Sequence, residues 1–298
     1  MRPADLRLRL FRDMLLVRRA EEKIAALYPE QDIRCPVHLS IGQEAVSAGV
    51  NAALADTDYA ISAHRSHAHY LNKGGSLRAM FAELYGKATG CAGGRGGSMH
   101  LIDLAVNFMG CVPIVGATIP IGVGIALGLK MQGSDAVTAV FFGDAAVETG
   151  AFHEALNFAS LHKLRVLFVC ENNGLSVDTG LGERQPKRAI QALAAAHDIY
   201  AVCGDGQAVN NVHASAHWAL HQYAGPWFLE FKTHRMAQHY GPEINVDYAT
   251  CPVTLYRNVL ESDGTLQPED YVAMCHEIDA EIKDAVEFAK ASPFPVAA

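Results

Sequence analysis

The sequence has no CxxC pair, no HExxH segment, no internal repeat and no low-complexity tract. Its seven cysteines, Cys35, Cys91, Cys111, Cys170, Cys203, Cys251 and Cys275, are odd in number and widely scattered. That argues against a disulfide framework or a cysteine zinc site and points to a reducing compartment, the cytoplasm. An excess of positive charge is also missing: 24 Lys and Arg stand against 32 Asp and Glu, a net charge of −8. An overall electrostatic grip on nucleic acid or anionic lipid is therefore not expected, although a local cationic pocket is compatible with this balance. One uncharged run, 104–129, is long enough for a membrane span, but it holds Pro113, Pro120, Asn107 and five glycines. It reads as a buried loop followed by a packed helix from about Pro120. The N-terminal segment is arginine-rich like a transit peptide, yet it lacks serine, carries Asp5 and Asp13, and runs on with helical spacing. It reads as a folded amphipathic helix.

What is present suffices for a sizeable core: 298 residues, half of them hydrophobic and 19% charged. No linker demands a division, so 1–298 is expected to form a single domain. Helices are predicted over 5–28, 42–54 and 76–87. The glycine-rich stretch 89–99 (TGCAGGRGGSM) must be a loop, since glycine is costly inside regular elements. Residues 136–142 (AVTAVFF) and 165–170 (RVLFVC) have the unbroken apolar character of buried parallel strands, with helix 151–163 between them. Residues 199–203, 208–223 and 227–231 form a second strand–helix–strand unit, and 268–291 reads as a charged surface helix. The fold class is α/β, a central, mostly parallel sheet flanked by helices on both faces.

Such sheets bind ligands beyond the carboxyl ends of their strands. Gly143-Asp144 ends one predicted strand and Glu171-Asn172-Asn173 ends the next. A carboxylate and a carboxamide there supply hard oxygen ligands of low total charge, as an octahedral Mg²⁺ shared with phosphate requires. Asp and Asn also cap helices and make turns, so on pattern alone both readings stand.

The stretch GDAAVETGAFHEALNFASLHKLRVLFVCENN resembles the thiamine diphosphate motif, a GDG followed about 30 residues later by NN. Further segments extend the likeness: IGQEA at 41–45, HRSHAHYLNKG at 64–74, ELYGKATGCAGGRGGSMHLID at 83–103, PIVGATIPIGVGIALGLK at 113–130 and FLEFKTHR at 228–235. Together they make the chain similar to the α subunit of the decarboxylating dehydrogenase component of 2-oxoacid dehydrogenase complexes. The pyruvate, branched-chain 2-oxoacid and acetoin enzymes form that family.

The resemblance implies a thiamine diphosphate-binding fold and roles for particular residues. Asp144, Asn173 and the backbone carbonyl of Leu175 would hold Mg²⁺. Gly143, Asp144, Ala145 and Ala146 form the turn at the diphosphate. His64 and Arg65 would grip the diphosphate, Pro113 and Val115 would meet the aminopyrimidine ring, and Arg235 and His239 would close the site from the mobile loop. His67 and His239 are the implied catalytic histidines. The chain departs from the pattern at His64, where tyrosine is expected, at Ala145, where the second glycine belongs, and at Leu175, where an aromatic residue stands. Alanine at 145 is compatible with the motif if φ there is negative.

The family takes the carboxylate that activates the cofactor from a separate β subunit, and no residue here has a motif-based claim to it. The resemblance therefore implies an α₂β₂ assembly and transfer of the acyl group to a lipoyl acyltransferase or another carrier. The alternatives are the diphosphate half of a split transketolase-like enzyme, which shares the GDG and NN motif, or a non-catalytic scaffold subunit.

Three other patterns have plainer readings. His213, His217 and His221 recur every four residues without a fourth ligand and read as a solvated or interface stripe. His64, His67 and His69 read as part of the phosphate segment rather than a metal cluster. The stretch 93–98 lacks the GK[ST] ending of a P-loop and reads as a packed loop near the pyrimidine site.

Overall fold

The structure is a computed structural model that describes residues 3–222 and 225–296. Among the described residues eight strands are formed: β1 (Tyr59–Ser62), β2 (Phe108–Cys111), β3 (Thr138–Gly143), β4 (Val166–Asn172), β5 (Leu175–Ser176), β6 (Thr179–Gly180), β7 (Tyr200–Asp205) and β8 (Trp227–Lys232). Six of them make one sheet in the order β2-β1-β3-β4-β8-β7, every neighbouring pair parallel. The short β5 and β6 pair antiparallel on their own. The helices are α1 (Pro3–Leu27), α2 (Glu44–Ala53), α3 (His67–Asn72), α4 (Leu77–Leu84), α5 (Thr118–Met131), α6 (Gly150–Leu161), α7 (Leu181–Arg184), α8 (Gln191–Ala195), α9 (Val209–Gln222), α10 (Pro252–Ser262) and α11 (Pro268–Ala291).

The strands are apolar on both sides because each side meets its own core. Ala139 and Phe141 point into the layer shared with α1, α2, α9 and α11. Val140 and Phe142 point into the layer shared with α5 and α6. That alternation within one buried run is the period of two of a strand covered on both faces. The α/β architecture is the one expected. The uncharged run resolves into the loop and β2, then α5, and no described helix is long and apolar enough to cross a membrane. Residue 223 of the expected helix 208–223 lies outside the described residues.

The connection from β1 leads outward to β2, and the chain then returns across β1 to β3 and continues to β4 on the other side. The strand order therefore reverses between β1 and β3. At such a switch point the loops leaving adjacent strands diverge to opposite faces and leave a crevice. Register sets Ser62 beside Phe141 and Gly143 beside Glu171, so the ends of β1, β3 and β4 open on one place.

Candidate functional site

A cavity of about 280 Å³ occupies that crevice. Ser62, Ala63, His64 and Arg65 line it from β1, Phe141 to Ala146 from β3, and Glu171, Asn173 and Leu175 from β4. Pro113 and Val115 contribute from the loop before α5, and Arg235 and His239 from the segment after β8. The cavity thus brings together every expected cofactor and metal residue. Successive segments of this set are about 25 to 60 positions apart in sequence, and the parallel topology closes the distance.

Asp144 sits at the floor in a tight turn over Asp144–Glu148. Its Oδ2 accepts a 2.5 Å hydrogen bond from Arg184, while its buried Oδ1 has no partner. Burial pushes the carboxyl up from the usual carboxylate range, and Arg184 works against that. A buried carboxylate oxygen without a donor is where a hard cation fits. Asn173 faces it across the cavity, its amide donating to Gln43 Oε1 at 2.8 Å and its Oδ1 accepting from the Leu175 N–H at 3.0 Å.

Gln43 is a residue that the motifs did not single out. The Gly42 φ of +94° makes the turn, and a Cβ there would lie 2.2 Å from the His234 carbonyl. Only glycine allows that approach. It sets Gln43 against both Thr233 Oγ1, at 3.2 Å, and Asn173. The next residue, Glu44, is fully buried, pairs with Arg18 at 2.7 Å and accepts from the Gly42 N–H at 3.0 Å. The IGQEA segment is therefore a device that positions Asn173. A second close approach joins the loop at Pro113 to the Asp144 turn: a Cβ on Gly116, φ +83°, would lie 2.6 Å from Thr149 Oγ1.

Ala145 adopts no positive φ; the non-glycine positions that do, among the described residues, are Gln31, Asn107, Lys163, Val177 and Asp198. The turn accepts alanine without backbone strain. Ala145→Gly is therefore expected to change cofactor affinity by less than about threefold, within the roughly 0.5 kcal/mol of an unstrained surface change. Titration calorimetry would check it, and a tenfold gain would show that the methyl group obstructs the ligand.

Cationic charge comes from two arginines. Arg65 is buried and donates to the carbonyls of Leu39 and, at 3.2 Å, His239. Burial and the neighbouring Arg235 push its pKa down to about 10, which leaves it charged at neutral pH. Arg235 donates to the Val177 carbonyl at 2.7 Å and to Asp178, and its buried Nε has no partner. His38, His64 and His239 are by contrast held toward the neutral form. Burial, with His64 and Arg65 nearby, pushes His38 down to about 2, and burial with Arg65 pushes His64 to about 4. His239 is lowered for the same reasons.

His67 does not reach the cavity. It opens α3 and turns inward, fully buried, with Nδ1 3.0 Å from Glu21 and Nε2 2.7 Å from Ser98 Oγ. With both nitrogens engaged, it braces α1 and the glycine-rich segment, away from the cavity that its expected catalytic role would require. His69, two residues on, does line the cavity, held by Ser62 at 2.8 Å and Glu171 at 3.3 Å. The glycine-rich loop is likewise not beside this cavity, apart from Met99. Its N–H groups at Ala92, Gly94, Gly96 and Gly97 donate to the buried Glu83, and Gly94, Gly96 and Gly97 line a separate pocket. The histidines of α9 stack on one another, His217 on His221 at 4.1 Å.

Fold and cavity define an α/β protein with a crevice, lined by carboxylate, amide, imidazole and guanidinium side chains, at a strand-order reversal. Residues 12–298 match the family described as dehydrogenase E1 component, and the chain belongs to that family. It is 35% identical over 309 residues to the pyruvate dehydrogenase E1 component subunit alpha, somatic form, of Rattus norvegicus, covering 97% of this chain and 76% of the relative. The corresponding subunit of Rickettsia bellii is 33% identical over 297 residues, 96% of this chain and 91% of the relative. The mitochondrial alpha-1 subunit of Oryza sativa is 35% identical over 306 residues, 98% and 78%.

Proposed function

We propose that this chain is the α subunit of a thiamine diphosphate- and Mg²⁺-dependent dehydrogenase that acts on a 2-oxoacid such as pyruvate, or on acetoin. The observation that carries the reading is the unpartnered, buried Asp144 Oδ1 at the switch-point crevice, with Asn173 held opposite it. Asp144, Asn173 and the Leu175 carbonyl would hold Mg²⁺, leaving positions for phosphate oxygens. Arg184 supplies the counter-charge to Asp144 and is expected to give way to the cation. Arg65 and Arg235 would offset the charge of the diphosphate, and His64 and His239 would donate hydrogen bonds to it. Pro113 and Val115 would present backbone to the pyrimidine ring. Bound thiamine diphosphate supplies an acidic ring carbon and an electron sink for bond cleavage next to a carbonyl. Around it this chain would orient the diphosphate and hold the cation.

The activating carboxylate is assigned to a β subunit in an α₂β₂ assembly, with a lipoyl acyltransferase as acceptor. Exposed apolar residues next to the cavity support a partner there: Ile114 is 66% exposed, Val115 45% and Ile121 48%. All seven cysteines are free, in keeping with the cytoplasm. The chain purified alone is expected to self-associate and to show no turnover. With its β partner it should form a heterotetramer that decarboxylates a 2-oxoacid or cleaves acetoin with an artificial electron acceptor. Light scattering together with turnover measures both. A well-behaved monomer active unaided would overturn the split-site reading.

A further inference from the structure

A second pocket, of about 490 Å³, shares no lining residue with the cofactor cavity and has no part in the proposed reaction. Its wall comes from four stretches: Asp32, Arg34 and Cys35 before α2, Glu83 to Lys87 at the end of α4, Gly94 to Gly97 of the glycine-rich loop, and Lys290 with Phe294 at and beyond the end of α11. Two polar groups on that wall lack partners although both are buried. Lys87 is 8% exposed, and among the described residues its ammonium makes no hydrogen bond or ion pair; it lies 3.8 Å from the centroid of the Phe294 ring. Tyr85 is 5% exposed, and its buried hydroxyl has no hydrogen-bond partner. Buried polar groups are normally satisfied, and an ammonium is costlier to leave without an anion than a neutral group is to leave without a donor.

We infer that this pocket binds the phosphate of a small phosphorylated molecule that also carries a ring, of which a nucleotide is the simplest representative. The charges on the wall favour an anion. Lys290 is paired with Glu30 at 3.0 Å, and the buried Glu83 carboxylate accepts from four backbone N–H groups of the glycine-rich loop. That leaves Lys87, Arg34 and Arg95 to face Asp32 alone. This excess of positive charge suits a phosphate monoester, which carries about −1.5 to −2 at neutral pH. Lys87 and the Tyr85 hydroxyl can both donate to phosphate oxygens from the buried side. The exposed guanidiniums of Arg34 and Arg95 offer bidentate forks from the outer side. The loop amides are spent on Glu83 and cannot cradle the phosphate as a P-loop would, so recognition falls to side chains. The volume lies in the range of small-molecule pockets, roughly 300–1,000 Å³, and exceeds what a lone phosphate fills. The exposed Phe294 ring gives the rest of the ligand a flat apolar face. The inference stands on this wall and does not depend on the cofactor assignment.

The test is titration calorimetry of the full chain with AMP, inorganic phosphate and adenosine as probes. The expected result is one AMP per chain, inorganic phosphate weaker by about tenfold through loss of ring stacking, and no binding of adenosine. Lys87→Met should weaken AMP about 10- to 100-fold, and Tyr85→Phe about 3- to 10-fold. Arg34→Gln combined with Arg95→Gln alters only exposed side chains and should weaken AMP roughly fivefold. That variant keeps the test decisive if thermal melting shows that Lys87→Met does not fold. Phe294→Ser should remove the preference for AMP over inorganic phosphate. The cofactor cavity also attracts phosphate, so the titrations are repeated with Arg65→Gln combined with Arg235→Gln, which should bind AMP like the parent. Loss of AMP binding in that variant would place the nucleotide in the cofactor cavity and overturn the inference. So would a parent that does not bind AMP, adenosine that binds as well as AMP, or binding left unchanged by Lys87→Met, Tyr85→Phe and the Arg34, Arg95 variant alike. Inorganic phosphate that binds as tightly as AMP would overturn the ring-bearing ligand.

Discussion

Asp144→Ala is expected to abolish measurable Mg²⁺-dependent thiamine diphosphate binding, a loss of at least about 100-fold. The side chain is the charged oxygen ligand at the floor of the cavity, and no other carboxylate can replace it. Glu171 also lines the cavity but is committed to His69 at 3.3 Å, and Glu148 is committed to Arg184 and to Gln185 at 2.8 Å. The substitution also leaves Arg184, only 9% exposed at its side chain, with one anionic partner in place of two. A pH dependence accompanies the wild-type site. Burial raises the Asp144 carboxyl, so a proton competes with the cation at pH values above the ordinary carboxylate range. Cofactor affinity should fall as the solution is acidified into that range and recover as pH rises. Calorimetry on the chain with its β partner, at a series of pH values, measures both effects. Unchanged affinity in Asp144→Ala would remove the metal site from this position.

The largest expected effect on stability is that of Arg18→Ala. Arg18 reaches from α1 to the fully buried Glu44 and also donates to Cys251 Sγ at 3.3 Å. Removing one member of a buried ion pair leaves the other charge uncompensated, at a cost of about 3–5 kcal/mol. In a chain of this size that corresponds to a melting temperature lower by roughly 5–8 °C. Burial already raises the Glu44 carboxyl while Arg18 opposes the rise. Without Arg18 the carboxyl rises further, and a raised carboxyl is tolerated while protonated and penalised once ionised. The deficit should therefore be small in acid and grow as pH increases through the raised value. Scanning calorimetry of parent and variant across pH checks the sign. The double variant Arg18→Met, Glu44→Gln should recover most of the loss, because neither side chain then carries charge. Glu44 also holds the Gly42 N–H, so Arg18→Ala is expected to loosen Gln43 and weaken cofactor binding as well.

Much of the frame was legible in the chain itself. The strands β3 and β4 and the helix between them declare themselves because a strand buried on both faces must be apolar throughout, and 136–142 and 165–170 are. The helix Pro268–Ala291 matches its expected limits, with proline at its first turn, where a missing N–H costs nothing. The polar residues that break the apolar runs, Gly143-Asp144 and Glu171-Asn172-Asn173, mark the strand ends where a crevice can form. In contrast β1 and β2 were not foreseen. Each has four residues, too few for a period of two to stand out from a period of 3.6, and their strand character comes from pairing with β3 and with each other.

The site divides in the same way. Which residue types could hold a cation and a diphosphate follows from local motifs, because those motifs sit at strand ends whatever the rest of the chain does. Which of His64, His67 and His69 faces the cavity does not, since it depends on α3 starting at His67 and turning that ring toward Glu21. Gln43 meets Asn173 across 130 positions, and His38 meets His239 across about 200, only because the sheet order places the segment before α2 against the segment after β8. Periodicity and composition record what each residue needs, burial or solvent, from its immediate surroundings. Contacts between distant segments are selected by strand order and close packing, which only the folded chain contains.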